Sequence, residues 1–318
     1  MLSFLEMDVR QLATLVAIAD HGTFSGAARA LFTVQSNVSS HIARLEKELG
    51  VTLVDRANGG LTEDGARVVE RARRVMREMD DIIADTASRD ATVSGQTRLG
   101  VIGTTARWLM PQFLGLLGQQ HPNVRVIIQD GATSTLVPNL LSGQLNAAVI
   151  HLPVDDPELV IEPLFAEDLL LLADKHHPLA AHDTIALADL DEIPLLLPPT
   201  GSALRRVLDR AAATADITLR PQAEIDGVRL LASLAIDGFG ASIVPATAVP
   251  IWLQGSFRRI AVPELPRRVV AFARRRRPRP SAPTVAARDA LRDAVVEQGS
   301  HQHGVHLDTS VLVVPRTA

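Results

Sequence analysis

The stretch TVQSNVSSHIARLEKELG, residues 33–50, decides the fold. Val38, Ile42, Leu45 and Leu49 step along it by 4, 3 and 4, the spacing that gives a helix one apolar face. Gln35, Ser36, Asn37, Ser39, Ser40 and His41 occupy the other faces, with only Arg44 and Lys47 as cations. Amides and hydroxyls near a helix start either cap it or read hydrogen-bonding edges of a partner. The flanking sequence separates these two readings. Upstream, Val9, Leu12, Leu15, Val16 and Ala19 recur at helical spacing, and Gly22 stops the run. Thr23 reads as the N-cap of a short helix over 24–31, and 32–34 as a tight turn. Two short helices joined in this way form a helix-turn-helix.

Downstream, 50–56 reads as a strand, Asn58-Gly59-Gly60 as a turn and Leu61-Thr62 as the start of a return strand, together a small wing. Thr62 with Glu63 and Asp64 then caps a helix that runs to about Ala87. Val69, Ala72, Met76, Met79 and Ile83 step along it by 3, 4, 3 and 4, a coiled-coil seam. At a rise of 1.5 Å per residue it spans about 39 Å. A seam of this length is predicted to pair with a second copy of the chain, with Met76 and Met79 in the seam; packing against its own domain is the alternative.

A polar stretch over 88–95 reads as a linker, and the pattern then changes. Strands are predicted at 97–103, 124–129 and 147–151, with helices at 106–121 and 135–141 between them. A second block has strands at 169–173, 194–197, 222–225, 241–244, 259–262 and 268–273. Its helices begin near Ser202, Val228 and Thr284. Alternating strands and helices imply parallel sheets.

The 318 residues suffice for two or three domains with their own cores. No residue is cysteine, which excludes disulfides, cysteine–metal sites, thiol catalysis and thiol redox sensing. Residues 1–6 lack the basic flank and apolar run of a signal peptide, and no stretch approaches the ~20 apolar residues of a membrane span. The predicted location is the cytoplasm, with no membrane contact. Residues 1–90 contain 11 Lys+Arg against 14 Asp+Glu, so charge alone does not announce a nucleic-acid partner. The Arg274–Arg279 run is the most basic segment and reads as a solvated strand end.

The first ninety residues resemble the LysR-type transcriptional regulators. The resemblance rests on MDVRQL (7–12), GTFSGAARAL (22–31), VQSNVSSHIARLE (34–46), ELG (48–50), LVDR (53–56) and LTEDG (61–65). To about residue 297 it continues as element order plus LGVIG (99–103), LLSGQLNAAV (140–149) and GFGASIVP (238–245). It implies an α plus α/β fold. A winged helix-turn-helix over 1–65 is followed by a linker helix over 62–88 and a linker over 89–96. A two-lobed effector domain of periplasmic-binding-protein type covers 97–298. Its lobe I would comprise 97–166 and 265–298, and its lobe II 167–264. By its own composition the tail over 299–318 reads as disordered, although the apolar segment 312–315 hints at some docking on the body. The resemblance also implies a homo-oligomer, dimer or tetramer, that binds double-stranded promoter DNA and a small-molecule effector. No cofactor or metal is implied.

By their place in the family motif, Gln35, Ser36, Asn37, Ser39 and Ser40 would face the major groove. Thr23, Ser25 and Arg56 would touch phosphate, and Arg44 completes the set. Ser40 and Gly26 stand where the family commonly has basic residues. Fewer phosphate contacts lower affinity and its salt dependence, so avidity between subunits would supply the grip. Between the lobes, ligands sit outside the carboxyl ends of strands, against helix N-termini. Thr104 and Thr105, Thr133 and Ser134, Ser202, and Asp226 hold those places, a set suited to a carboxylate or similar anion, though each hydroxyl could instead simply cap its helix. The segments 164–168 and 262–268 would be hinges.

A cytoplasmic solute-binding protein without a genetic role is the alternative, and the complete helix-turn-helix argues against it. An enzyme is disfavoured: no Walker loop, GxSxG, HExxH or zinc-deaminase pattern occurs, and His176 and His177 are adjacent rather than one helical turn apart. His301, His303 and His306 offer a metal-binding pattern, but a surface tail is the simpler reading.

Overall fold

A computed structural model describes residues 7–55, 60–87 and 93–308. The chain divides into two compact units, 1–86 and 87–318.

The first unit opens with α1 (Val9–His21), α2 (Phe24–Ala30) and α3 (Gln35–Leu49). Asp8 and Gln11 form a reciprocal capping box at the start of α1, with bonds of 2.8 and 3.0 Å. Thr23 caps α2 as the sequence predicts, accepting the Gly26 N–H at 3.0 Å. A Cβ on Gly26 would lie 2.9 Å from Thr23 Oγ1 and 3.0 Å from His21 Cβ. The cap therefore explains why glycine stands here instead of a basic residue. Val38, Ile42 and Leu45 are fully buried against Leu15, Ala27 and Leu53. Each such side chain contributes roughly 1.5–3 kcal/mol of burial.

The wing is smaller than the sequence suggests. Among the described residues it consists of β1 (Val54–Asp55) and β2 (Gly60–Leu61), paired in antiparallel register. Glu46 Oε1 accepts the N–H groups of Leu53 and Val54 at 2.8 and 3.2 Å, which fixes the chain entering the wing. The helix α4 (Glu63–Ala87) follows. Thr62 Oγ1 accepts the Gly65 N–H at 2.9 Å, and a Cβ on Gly65 would sit 2.0 Å from the Leu53 carbonyl oxygen. Only glycine lets the helix start this close to the wing.

The seam on α4 needs correction. Val69 and Ala72 are buried in the core of their own unit, and Met76 packs against it. The start of the helix is thus occupied by intramolecular packing. The exposed apolar residues lie farther on: Val75, Met79, Ile82 and Ile83. Of the five predicted pairing residues, Met79 and Ile83 keep an exposed position.

The second unit has two sheets among the described residues. Its elements are β3 (Gly95–Ile102), α5 (Gly103–Gln120), β4 (Val124–Gly131), α6 (Thr133–Leu141), β5 (Ala147–His151), β6 (Leu159–Glu167), β7 (Leu169–Asp174), β8 (Pro194–Leu197), α7 (Ala203–Thr214), β9 (Arg220–Glu224), α8 (Val228–Ile236), β10 (Ala241–Pro245), β11 (Phe257–Ala261), β12 (Arg268–Arg275), α9 (Ala282–Gly299) and β13 (Val305–His306). One sheet runs β13-β6-β12-β5-β3-β4, the other β11-β7-β10-β8-β9. Parallel pairing joins β4, β3 and β5 in the first and β10, β8 and β9 in the second. Strands covered on both faces read as continuous apolar runs, as Leu169–Leu172 and Ala147–Ile150 do. The first core centres on Phe113, Phe165 and Phe272, with Trp108 edge-on to Phe165 at 5.2 Å between ring centroids.

The chain crosses between sheets at Asp168, and again between Ala261 and Arg268. The first predicted hinge is largely strand: 164–167 belongs to β6, which sequence reading missed because Pro163 interrupts its alternation. The predicted tail is corrected as well. Residues 300–308 fold onto the unit. Gln302 is buried, donating to the carbonyls of Ala246 and Val249 at 3.2 and 3.3 Å and accepting the Ile251 N–H at 2.9 Å. Val305 and His306 pair with β6. Polar composition suggested disorder, yet those polar groups satisfy backbone groups of the body. The apolar segment 312–315 lies outside the described residues.

Candidate functional site

Two places gather the predicted residues. The first is the start of α3. With Val38, Ile42 and Leu45 turned inward, Gln35, Ser36, Asn37, Ser40 and Arg44 are exposed, and Ser39 and His41 partly so. The face carries amides and hydroxyls in preset positions. Ser25 Oγ donates to Gln35 Oε1 at 2.9 Å, joining α2 to α3. Asn37 Nδ2 donates to Thr33 Oγ1 at 2.9 Å. Thr23 uses an oxygen lone pair for its cap, so its O–H remains available to donate. Arg56 lies outside the described residues.

Sequence reading missed Phe32. It occupies the turn before α3 with φ +52°, a left-handed conformation rare for a bulky side chain, and it is 99% exposed. An aromatic ring held in water three residues from Gln35 belongs to the same surface. The expectation of a turn located it, but nothing in the pattern gave its exposure.

The second place lies where the carboxyl ends of β3, β4 and β5 meet the other sheet's elements. Thr104 and Thr105 open α5, and Thr133 and Ser134 open α6. Neither helix has a side-chain cap. Thr104 is buried and its Oγ1 accepts from Arg268 Nη2 at 2.8 Å. Thr105 Oγ1 is buried with no hydrogen-bond partner. Thr133 Oγ1 accepts the His151 N–H at 3.2 Å, and Ser134 is exposed. From the second sheet, Ser202 caps α7 by accepting the Arg205 N–H at 3.3 Å, which is the simple capping role for that hydroxyl. Asp226 is exposed before α8.

Three arginines and a histidine, none of them assigned from the sequence, dominate this region. Arg268 at the start of β12 bonds Glu167 at the end of β6 through Nε at 2.8 Å and Nη2 at 2.5 Å. The other Glu167 oxygen accepts the Thr247 N–H at 2.9 Å and its hydroxyl at 2.7 Å. Glu167 is fully buried, so four donors replace its lost water. Thr104, Arg268, Glu167 and Thr247 thereby link the two sheets' ends. Arg229 of α8 pairs with Asp130 of β4, and its side chain approaches Gly103 at the start of α5. Arg206, in the first turn of α7, donates to the Gly201 carbonyl. The base of that helix is fixed by Arg205, which bonds Asp209 and Glu224 at 2.8 Å each and the Pro198 carbonyl at 3.1 Å. The Arg205 hydrogen bond also holds the Glu224 carboxyl below its ordinary range. His151 ends β5, and burial together with Arg268 and Arg206 pushes its pKa down to about 4.

Two cavities lie elsewhere. One of about 500 Å³ runs along α7, between Val207, Arg210 and Thr214 on one side and Leu187 and Glu264 on the other. The other, about 460 Å³, is bounded by β7, β11, Arg267 and the folded tail at His303 and Gly304. Neither includes the predicted effector residues. His306 is engaged by Asp168 at 2.9 Å, and among the described residues no group of three His, Cys, Asp or Glu side chains is placed to hold a metal. The basic run is partly tied down: Arg276 donates to the carbonyls of Pro157 and Leu159 at 3.0 and 3.3 Å, while Arg277 and Arg279 are exposed. Among the described residues no helix is long and apolar enough to cross a membrane.

Residues 9–66 match the bacterial regulatory helix-turn-helix protein model, lysR family, and residues 90–296 match the LysR substrate binding domain. A probable hydrogen peroxide-inducible genes activator of Streptomyces viridosporus is 32% identical over 90% of this chain and 95% of its own length. The DNA-binding transcriptional dual regulator OxyR of Escherichia coli is 31% identical, covering 77% of this chain and 81% of its own. Among solved structures, a cysteine variant of full-length OxyR from Pseudomonas aeruginosa aligns with TM-score 0.68 at 26% identity, over 91% of this chain and 98% of that one. Full-length CbnR in complex with its target DNA aligns with TM-score 0.70 at 24% identity, over 91% and 100%.

Proposed function

The chain belongs to the LysR family of bacterial transcriptional regulators, and from that premise we propose which of its residues read DNA and which sense an effector. The protein is a DNA-binding transcriptional regulator with an effector-binding domain. Its N-terminal unit binds promoter DNA as an oligomer. The observation that carries the DNA reading is the exposed row Gln35, Ser36, Asn37 and Ser40 above a fully buried Val38–Ile42–Leu45 stripe. Gln35 offers the amide pair that matches adenine N6 and N7, and the serines donate or accept at base edges. Thr23 supplies a neutral donor to phosphate, Ser25 orients Gln35 through its O–H, and Arg44 and Arg56 supply charge.

Sparse cationic contacts make each subunit a weak binder, and pairing through the distal part of α4 raises the affinity. The effector sits between the lobes, at the openings of α5, α6 and α7, where Thr104, Thr105, Thr133, Ser134, Ser202 and Asp226 surround it. The cations Arg206, Arg229 and Arg268 favour an anion there. Several relatives are named for hydrogen peroxide, but a thiol-based response needs a cysteine and this sequence has none. The effector therefore acts by reversible binding. It shifts the DNA-bound state only by its differential affinity for the two lobe arrangements. Catalysis forms no part of this reading.

Selection of duplexes from a random pool by the full-length protein tests it. The expected product is an inverted repeat whose half-sites lie about one helical turn, or a multiple of it, apart. A pool with no enriched sequence would leave the solute-binding alternative standing.

A further inference from the structure

His151 ends β5 where the chain leaves the sheet. In the antiparallel pairing with β12 it stands opposite Val270, so Arg268, two residues along, lies on the same face of the sheet. From the other lobe Arg206 comes within electrostatic range of the same ring. One partly buried imidazole thus shares its face of the sheet with Arg268 and feels the charge of a second guanidinium carried on the other lobe.

The remaining charges around it are accounted for. The helix α6, which packs on β5 and holds the His151 N–H through Thr133, carries no charged residue. Glu167 is saturated by Arg268 and Thr247. Asp130 is bound by Arg229. Asp155 and Asp156 lie beyond His151 in the following loop, and the Asp156 carboxylate accepts the Glu158 N–H at 2.8 Å. The local field at the ring is therefore positive, and with burial it keeps the imidazole neutral. The guanidinium groups stay charged at any physiological pH. Beside them, α5 and α6 open without side-chain caps, and Thr105 Oγ1 is a buried hydroxyl without a protein partner.

We infer that His151 is a proton-coupled recognition residue of the effector cleft: an anion lodged between Arg206 and Arg268 brings a proton onto this imidazole. The inference rests on the cleft reading above. The anion cancels the two charges that oppose protonation and adds an acceptor for the new N–H. The complex then holds one more proton than the empty protein, at any pH between the two pKa values. By linkage, affinity for the anion rises by up to about tenfold for each pH unit lowered within that window. An uncharged ligand filling the same space leaves the field positive and shows no such rise.

NMR titration of the histidines in the full-length protein tests this, with sodium sulfate as the probe and sodium chloride matching the ionic strength. Sulfate keeps its double charge through the range used. The His151 signal is assigned by its loss in His151→Gln. Without sulfate it is expected to titrate near pH 4, well below the ordinary imidazole value. With sulfate its pKa is expected to rise by at least about one unit. In Arg206→Gln the sulfate-free value should rise, and the sulfate effect should fall by about half. Sulfate that protects the Thr104 and Thr133 amides from exchange yet leaves the His151 titration unmoved overturns the inference and spares the cleft reading. No protection and no movement overturn both.

Discussion

Replacing Ile82 and Ile83 by glutamate is expected to leave a folded monomer whose affinity for its specific duplex has fallen at least about a hundredfold. The two side chains are each 63% exposed on the distal part of α4, beside the exposed Val75 and Met79. Water-facing apolar residues in a row on a helix about 38 Å long form a surface for a second such helix. Four carboxylates across a self-paired interface cost more than that contact returns. The reading helix itself is not touched. What is lost is the linkage between two weak DNA contacts. Light scattering reads the mass, and titration of labelled duplex reads the affinity. A variant that remains dimeric, or a monomer that binds specific DNA undiminished, refutes this placement of the interface. Val69→Glu is the control with the opposite cause: Val69 is 4% exposed within its own unit, so it should unfold the winged unit instead of separating subunits.

Glu167→Gln is expected to destabilise the C-terminal unit by about 3 kcal/mol, lowering its melting temperature by roughly 6–12 °C. The Glu167 carboxylate has no solvent exposure, and Arg268 retains only 11% of its side-chain surface. The amide can accept on one side only. Its NH2 group must then face either the guanidinium or the Thr247 N–H, donor against donor. Arg268 is left as a buried charge without its counter-ion. Removing both partners together tests the cause. Glu167→Leu with Arg268→Met should recover much of the stability, because replacing a whole buried pair with apolar groups costs little. Calorimetry on the single and double variants reads the coupling. A single variant within about 0.5 kcal/mol of the parent would show that water already shares the site. The same double variant should lose anion binding, since Arg268 also reaches Thr104 at the opening of α5.

The fold was legible wherever burial imposed a period. Val38, Ile42 and Leu45 are fully buried as their spacing requires, and the apolar runs of β5, β8 and β10 are strands in the expected places. Caps were legible too, at Thr23, Thr62 and Ser202, because a hydroxyl before a helix has a local role. The reach of the seam on α4 was not. A heptad pattern shows that a face is apolar without showing whose core it enters, and Val69 and Ala72 enter their own. Nor was β6 legible, since Pro163 breaks its alternation and its pairing with β12 spans a hundred residues. The tail misled for a different reason. Gln302 reads as disorder until its three backbone partners, more than fifty residues away, are known.

At the candidate sites the same division holds. Residues with local signatures, such as Gln35 and Thr104, could be proposed from their motif positions. Arg206, Arg268, Glu167 and His151 could not, because each acquires its role through contacts between distant segments. Arg268 and Glu167 are a hundred and one residues apart. His151 is unremarkable in the sequence, and only the approach of cations from two lobes gives it its character.

The most direct measurement compares Gln35→Ala with the parent protein in equilibrium titrations of the selected duplex and of a scrambled duplex, at one fixed salt concentration. Gln35 is exposed, held by Ser25 and outside the core, so its loss should not disturb folding. The expected result is a specific affinity lower by about 10–100-fold per reading helix, with binding to the scrambled duplex unchanged. Equal losses on both duplexes, or no loss on either, would contradict the claim that α3 reads DNA through this amide.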